Sequence, residues 1–101
     1  MIVRAQEFMN QAYGRSGLTV EEIAQHCCIS QVYLRKLFAR ELATTPFRYL
    51  TEIRMEHARM LAEEKRPLKE IAARVGYGDV FQFSRAYKRH FGYSPSRDRW
   101  K

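Results

Sequence analysis

Apolar residues along this chain recur at spacings of three and four rather than two, which predicts helices throughout. Residues 2–13 place Ile2, Ala5, Met9 and Ala12 on one face with Phe8 beside them, and Gly14 ends the run. Thr19 and Glu22 have the spacing of a capping box, in which the hydroxyl accepts from the backbone N–H at position 22 and the carboxylate reaches back. A short helix therefore starts there and runs to about Cys27. After a turn at Cys28–Ile29, Ser30 caps a second helix, over about 31–42, that turns Leu34, Leu37, Phe38 and Leu42 inward and leaves Arg35, Lys36 and Arg40 on other faces. Thr45–Pro46 opens the longest helix, since proline at the first helical position forfeits no hydrogen bond. Phe47, Leu50, Ile53, Ala58 and Leu61 form its expected buried stripe, and Arg66–Pro67 ends it.

The last third repeats what precedes it. At an offset of 48, Glu22–Ile23–Ala24 matches Glu70–Ile71–Ala72, and Cys28–Ile29 matches Gly76–Tyr77. One extra residue enters at Gly78, and at an offset of 49 Ser30 matches Asp79, Leu34 matches Phe83, Phe38 matches Tyr87, Arg40 matches Arg89 and Leu42 matches Phe91. The pattern fits a helix-turn-helix used twice, with Ala24 and Ala72 as the small residues where the second helix crosses the first. Gly76 suits the second turn, and Cys28 is expected in the first as a compact hydrophobe. The expected fold is all-α with about seven helices: a first helix-turn-helix subdomain over 1–45, a linker helix over 46–66 and a second subdomain over 67–101, whose recognition helix covers about 80–91.

Composition adds a direction to this picture. At 101 residues the chain is one domain or two very small ones sharing a core, too short for large α/β enzyme scaffolds. Its formal charge of +7 is uneven, because residues 1–64 carry 8 Lys+Arg and 8 Asp+Glu whereas residues 65–101 carry 10 and 3. A lopsided basic balance points to a polyanion, either nucleic acid or an anionic membrane surface. Cys27 and Cys28 are adjacent and cannot staple distant segments, and no signal peptide precedes them, so a reducing cytoplasm is the expected compartment. His26, His57 and His90 are scattered and no CxxC or HxxxH spacing occurs, so neither a metal site nor a cofactor is expected. There is no phosphate-cradling glycine loop, no carboxylate pair suited to a cleft and no nucleophile beside a base, so no enzymatic activity is expected. No apolar run reaches bilayer-spanning length.

Each predicted second helix carries cations after its cap: Arg35, Lys36 and Arg40 in the first, and Arg85, Lys88, Arg89 and His90 in the second. An α-helix fits the major groove of B-DNA, where Arg and Lys reach guanine O6 and N7. For either helix alone a solvated charged face is the plainer explanation; two aligned copies favour DNA. Over essentially its whole length the chain resembles the DNA-binding domain of the AraC/XylS family of bacterial transcription regulators. IAARVGYGDVFQFSRAYKRHFGYSPSRDR at 71–99 is similar to the family's C-terminal signature, and YLTEIRMEHARMLAEEK at 49–65 to its linker helix.

The resemblance implies sequence-specific binding of double-stranded DNA and regulation of transcription. A rigid linker helix would let the two recognition helices enter successive major-groove segments, about 34 Å apart. It also implies RNA polymerase as a partner, and a sensing or receiver domain in a longer chain from which this domain is excised. The family's base-contacting positions fall on Val32, Arg35 and Lys36, then on Val80, Phe81, Ser84 and Arg85. Val80 and Phe81 depart from the polar side chains often seen there. Phe81 lies two residues from Phe83, about 200° round the helix, which argues against a shared core. Phosphates are expected at the helix N-terminus at Ser30 and at Arg40, Lys88 and Arg89, while the carboxylate of Asp79 opposes such contact at its own end. Arg54 falls on the buried stripe of the linker helix and is expected in an ion pair with a carboxylate. The alternative is a helical module that binds nucleic acid without sequence preference, or another protein. The repeat speaks against an RNA reader, since the A-form major groove is too narrow for a helix. Residues 79–91 come closest to a membrane-surface helix, but Phe83, Tyr87 and Phe91 are expected in the core.

Overall fold

The structure, a computed structural model, describes residues 1–100; Lys101, at the end of the expected 67–101 subdomain, lies outside the described residues. Among the described residues there are seven helices and no strands: α1 (Ile2–Ala12), α2 (Val20–His26), α3 (Gln31–Leu42), α4 (Pro46–Glu63), α5 (Leu68–Arg74), α6 (Val80–Phe91) and α7 (Pro95–Arg99). They form two compact units. The first comprises Met1–Tyr13 and Gly17–Ile53, and the second comprises Gly14–Ser16 and the chain from Arg54 onward. The division falls inside α4, whose first half belongs to one unit and whose second half belongs to the other.

In the first unit, Ala5, Met9 and Ala12 of α1 pack with Leu18, Ile23, Ala24, Leu34, Phe38, Leu50 and Ile53. The Thr19 hydroxyl accepts from Glu22 N at 3.1 Å, as the capping-box spacing predicts. Phe8 stacks on His26 with ring centroids 4.1 Å apart, closing α1 onto α2. The turn between α2 and α3 is built by two backbone bonds, Cys28 N to Gln25 O at 3.0 Å and Ile29 N to Ala24 O at 3.1 Å. This is the six-to-one and five-to-two pattern of a Schellman ending, which places Cys28 in the left-handed region at φ 59°. Cys28 thus occupies the turn as expected, but not as a buried hydrophobe. It is exposed, and Cys27 is the buried thiol of the two.

The second unit repeats the turn. Gly76 N bonds Ala73 O at 3.3 Å and Tyr77 N bonds Ala72 O at 2.9 Å, with Gly76 at φ 91°. Ile71, Ala72, Val75, Phe83 and Tyr87 form the core with Met55, Ala58 and Ala62 of α4. The helix α7, which begins at Pro95 as α4 begins at Pro46, closes it: Asp98 of α7 is only 2% exposed and accepts hydrogen bonds from Tyr87 Oη of α6 and, at 3.4 Å, from Tyr93 Oη. Gly14 belongs to this unit because it lies against the end of α5, where a Cβ would stand 2.8 Å from the Arg74 carbonyl oxygen.

Helix α4 differs from expectation in two respects. Its buried face is not one fixed stripe: it begins at Pro46, Leu50 and Ile53 in the first unit and passes to Met55, Ala58 and Ala62 in the second. Leu50 and Ala62 are about 120° apart around the axis, so no single narrow stripe contains both. Phe47 lies near the Arg54–Ala58 azimuth but at the end that belongs to the first unit, and it is 65% exposed rather than buried; Leu61 is half-buried. The helix also stops at Glu63, not at Arg66. Lys65 enters the left-handed region at φ 63°, and Lys65 N to Ala62 O (2.9 Å) and Arg66 N to Leu61 O (3.2 Å) close another Schellman turn.

Candidate nucleic-acid interface

On α3, Leu34, Leu37 and Phe38 are buried, and the opposite side presents Val32, Arg35, Lys36 and Arg40, all exposed. Successive residues turn about 100°, so positions 32, 35, 36 and 40 fall in one stripe facing away from the core. Ser30 opens the helix, its hydroxyl accepting from Tyr33 N at 3.1 Å, which leaves its own O–H free to donate. Arg35 Nη2 donates to Gln31 Oε1 at 3.4 Å, a contact weak enough to exchange for a ligand. Arg40 Nε lies 3.4 Å from Glu41 Oε1, both side chains solvent-exposed. Lys36 makes no ion pair with another described residue.

Helix α6 has the same plan. The Asp79 carboxylate accepts from Gln82 N at 2.8 Å, Phe83 and Tyr87 are buried, and Phe81, Arg85, Lys88 and Arg89 are exposed on the far side. Phe81 is 73% exposed against complete burial of Phe83, as their separation of about 200° requires. Ser84 and Val80 are half-buried flanks of this stripe rather than its crest. Arg85 and Lys88 make no ion pair with another described residue, so their charges stand free for a ligand. Phe91 is half-buried, its ring covered by Arg59 at 5.2 Å.

Arg54 is turned inward, 8% exposed. Its Nη2 donates to the Arg15 carbonyl at 2.9 Å and its guanidinium lies 5.6 Å from the centroid of the Tyr77 ring. A backbone oxygen and a π face thus take part in holding the cation for which the sequence suggested a carboxylate. Burial lowers the Arg54 pKa from its ordinary value, and burial raises that of Tyr77 against the opposing pull of Arg54 and Arg89.

The structure adds a residue that the sequence did not single out. Lys69, on α5, is exposed at the rim of a groove of about 280 Å³ whose walls are Ala72, Ala73, Tyr77, Val80 and Phe81. Under the 48-residue offset its counterpart is Glu21, so the repeat itself carries the signal: this position changes sign between the two units. Among the described residues no helix is long and apolar enough to cross a membrane.

Two helix-turn-helix units, each with a cationic outer stripe on its second helix, define a DNA-binding class of protein. Residues 23–100 match the helix-turn-helix domain family of the AraC type. The chain is 37% identical over 99 residues to the lactose operon transcription activator of Staphylococcus xylosus, covering 97% of this chain and 35% of that protein. It is 37% identical over 83 residues to the transcriptional regulator ArgR of Pseudomonas aeruginosa, covering 81% of this chain and 25% of that one. Among solved structures, the C-terminal domain of AraT, a response regulator from Geobacillus stearothermophilus, superposes with a TM-score of 0.94 at 37% identity, covering 98% of this chain and 83% of that one. This chain belongs to the AraC/XylS-type helix-turn-helix family of DNA-binding transcription regulators. It spans about a third or less of the length of the two regulators.

Proposed function

We propose that this domain binds duplex DNA at a promoter or operator by placing α3 and α6 in the major groove, and thereby regulates transcription by contacting RNA polymerase or occluding it. Val32, Arg35 and Lys36 meet base edges in one segment, and Val80, Phe81, Ser84 and Arg85 do so in the other. Ser30, Arg40, Lys88 and Arg89 meet phosphates. The observation that carries this reading is the pair of equivalent stripes, each exposed, each opposite a buried face and each holding at least one cation, Lys36 in the first and Arg85 and Lys88 in the second, with no ion pair to another described residue. The domain works in the bacterial cytosol as the DNA-binding part of a longer regulator, with a sensing or receiver domain supplying the signal, as the AraT likeness suggests.

Selection of bound duplexes from a random pool tests this reading. A defined motif is expected, and Arg85→Ala is expected to lose roughly 1–3 kcal/mol on it while relaxing preference at one base pair. Flat enrichment, or equal affinity of Arg85→Ala and the parent for selected and scrambled duplexes, rejects it in favour of a module without sequence preference.

A further inference from the structure

We infer that each recognition helix reads a thymine and a nearby guanine as a couplet: the apolar side chain of its first turn, Val32 or Phe81, lies against a thymine C5 methyl, and the cation four residues on, Lys36 or Arg85, takes the guanine O6 and N7. This deepens the DNA-binding reading above and rests on it. The 49-residue offset superposes Val32 on Phe81 and Lys36 on Arg85. Val32 is 61% exposed and Phe81 73%. A single exposed apolar residue is ordinary. The same position left exposed in both units, each time one helical turn before an unpaired cation, is a pattern that packing does not require.

Chemistry then fixes the partners. Neither Val32 nor Phe81 has a hydrogen-bonding group in its side chain. On the major-groove edges of the four base pairs, the one apolar group is the thymine methyl. The cation's best matched partner there is guanine, with two acceptors side by side. Residues four apart on a helix are separated by about 6 Å along its axis, so both contacts fall within about two base-pair steps, at 3.4 Å per step. The units differ at the position between: Arg35 in the first corresponds to Ser84 in the second. The first segment therefore carries a further guanine contact, while the serine accommodates either a donor or an acceptor.

The test takes a duplex recovered from the random pool and replaces each thymine singly by deoxyuridine, which removes only the methyl, and each guanine singly by 7-deazaguanine, which removes only the N7 acceptor. Affinities are measured by fluorescence anisotropy for the parent, Val32→Ala, Phe81→Ala and Arg85→Ala. One thymine in each segment is expected to lose about three- to fivefold on becoming deoxyuridine, the worth of one buried methyl. Val32→Ala is expected to silence one of these effects and Phe81→Ala the other, with the neighbouring guanine effect retained in both. In Arg85→Ala the guanine effect beside the Phe81 thymine is expected to vanish. Indifference of the parent to every deoxyuridine, or a methyl effect that survives in both alanine variants, overturns the couplet. Equal binding of selected and scrambled duplexes by the parent overturns the DNA-reading function itself, and shows before any base analogue is used.

Discussion

Cys28 and Ala43 hold left-handed backbone, φ 59° and 53°, at the places where the second unit has Gly76 and Gly92 at φ 91° and 85°. The same two turns are thus made with side chains in one unit and without them in the other. A Cβ in this region costs roughly 1–2 kcal/mol, and glycine gives back roughly 0.5–1 kcal/mol through its freer unfolded chain. Cys28→Gly and Ala43→Gly are each expected to raise stability by about 0.5–1 kcal/mol, read as a higher urea midpoint at constant m-value. Both sites are exposed, so no packing is lost. Gly76→Ala is expected to do the reverse and cost at least about 1 kcal/mol. No change on Cys28→Gly would mean that the turn relaxes around its cysteine. The turn itself was legible from the aligned Cys28–Ile29 and Gly76–Tyr77 pairs. The handedness at Cys28 was not, because a cysteine, unlike the glycine at 76, carries no signal for left-handed backbone.

Helices α6 and α7 are joined by a buried polar pair that their sequence pattern conceals. Asp98 sits in a run of charged residues and reads as surface, while Tyr87 reads as one more core aromatic by its equivalence to Phe38. Only the fold shows that the phenol ends on the carboxylate, so this polar contact inside the second unit escaped the periodicity. By contrast, α3 and α6, with their caps and buried faces, were legible because period, cap and repeat agreed. The long helix was less so, because its residues pass from one unit to the other while its pattern resembles a single amphipathic stripe. Burial first, and then the hydrogen bond to Asp98, push the Tyr87 pKa well above its ordinary value, and burial raises Tyr77 as well. A phenol whose pKa is higher folded than unfolded contributes stability that is complete below the unfolded value, about 10, and is lost as pH rises through the folded one. The second unit is therefore expected to weaken above about pH 10. In an alkaline titration followed at 295 nm, two of the six tyrosines should ionise only as helical ellipticity falls. Tyr87→Phe should remove one of those two and cost about 2 kcal/mol at neutral pH, since it takes a hydrogen bond from a buried carboxylate. Ionisation of all six tyrosines ahead of unfolding would refute the burial of this pair.

At the scale of the whole chain, the charge asymmetry survives the redrawing of its boundaries. Divided by compact unit rather than at residue 64, the first holds five Lys+Arg and five Asp+Glu, and the second thirteen and six, so the entire +7 again belongs to the unit that carries α6. The stripes share this contrast: Ala39 on α3 is the counterpart of Lys88 on α6, and Arg40 has Glu41 beside it where Arg89 has His90. Phosphate attraction acts through released counterions and scales with the number of phosphates neutralised, independent of sequence. The second unit is therefore expected to supply most of the salt dependence, and the first, with Arg35 and Lys36 adjacent, the greater share of base discrimination. Lys88→Ala should weaken binding to selected and scrambled duplexes alike and flatten the plot of log K against log [salt] by about 0.9. Lys36→Ala should leave that slope nearly unchanged while lowering the ratio of selected to scrambled affinity by about tenfold or more. Glu41→Gln separates the two effects in the opposite sense: with its neighbour neutral, Arg40 becomes available to phosphate, and affinity for every duplex should rise at low salt with the ratio unchanged. If Lys36→Ala flattens the salt plot as much as Lys88→Ala does and spares the ratio, the cations of α3 lie on the backbone, and the division of labour between the two units is wrong.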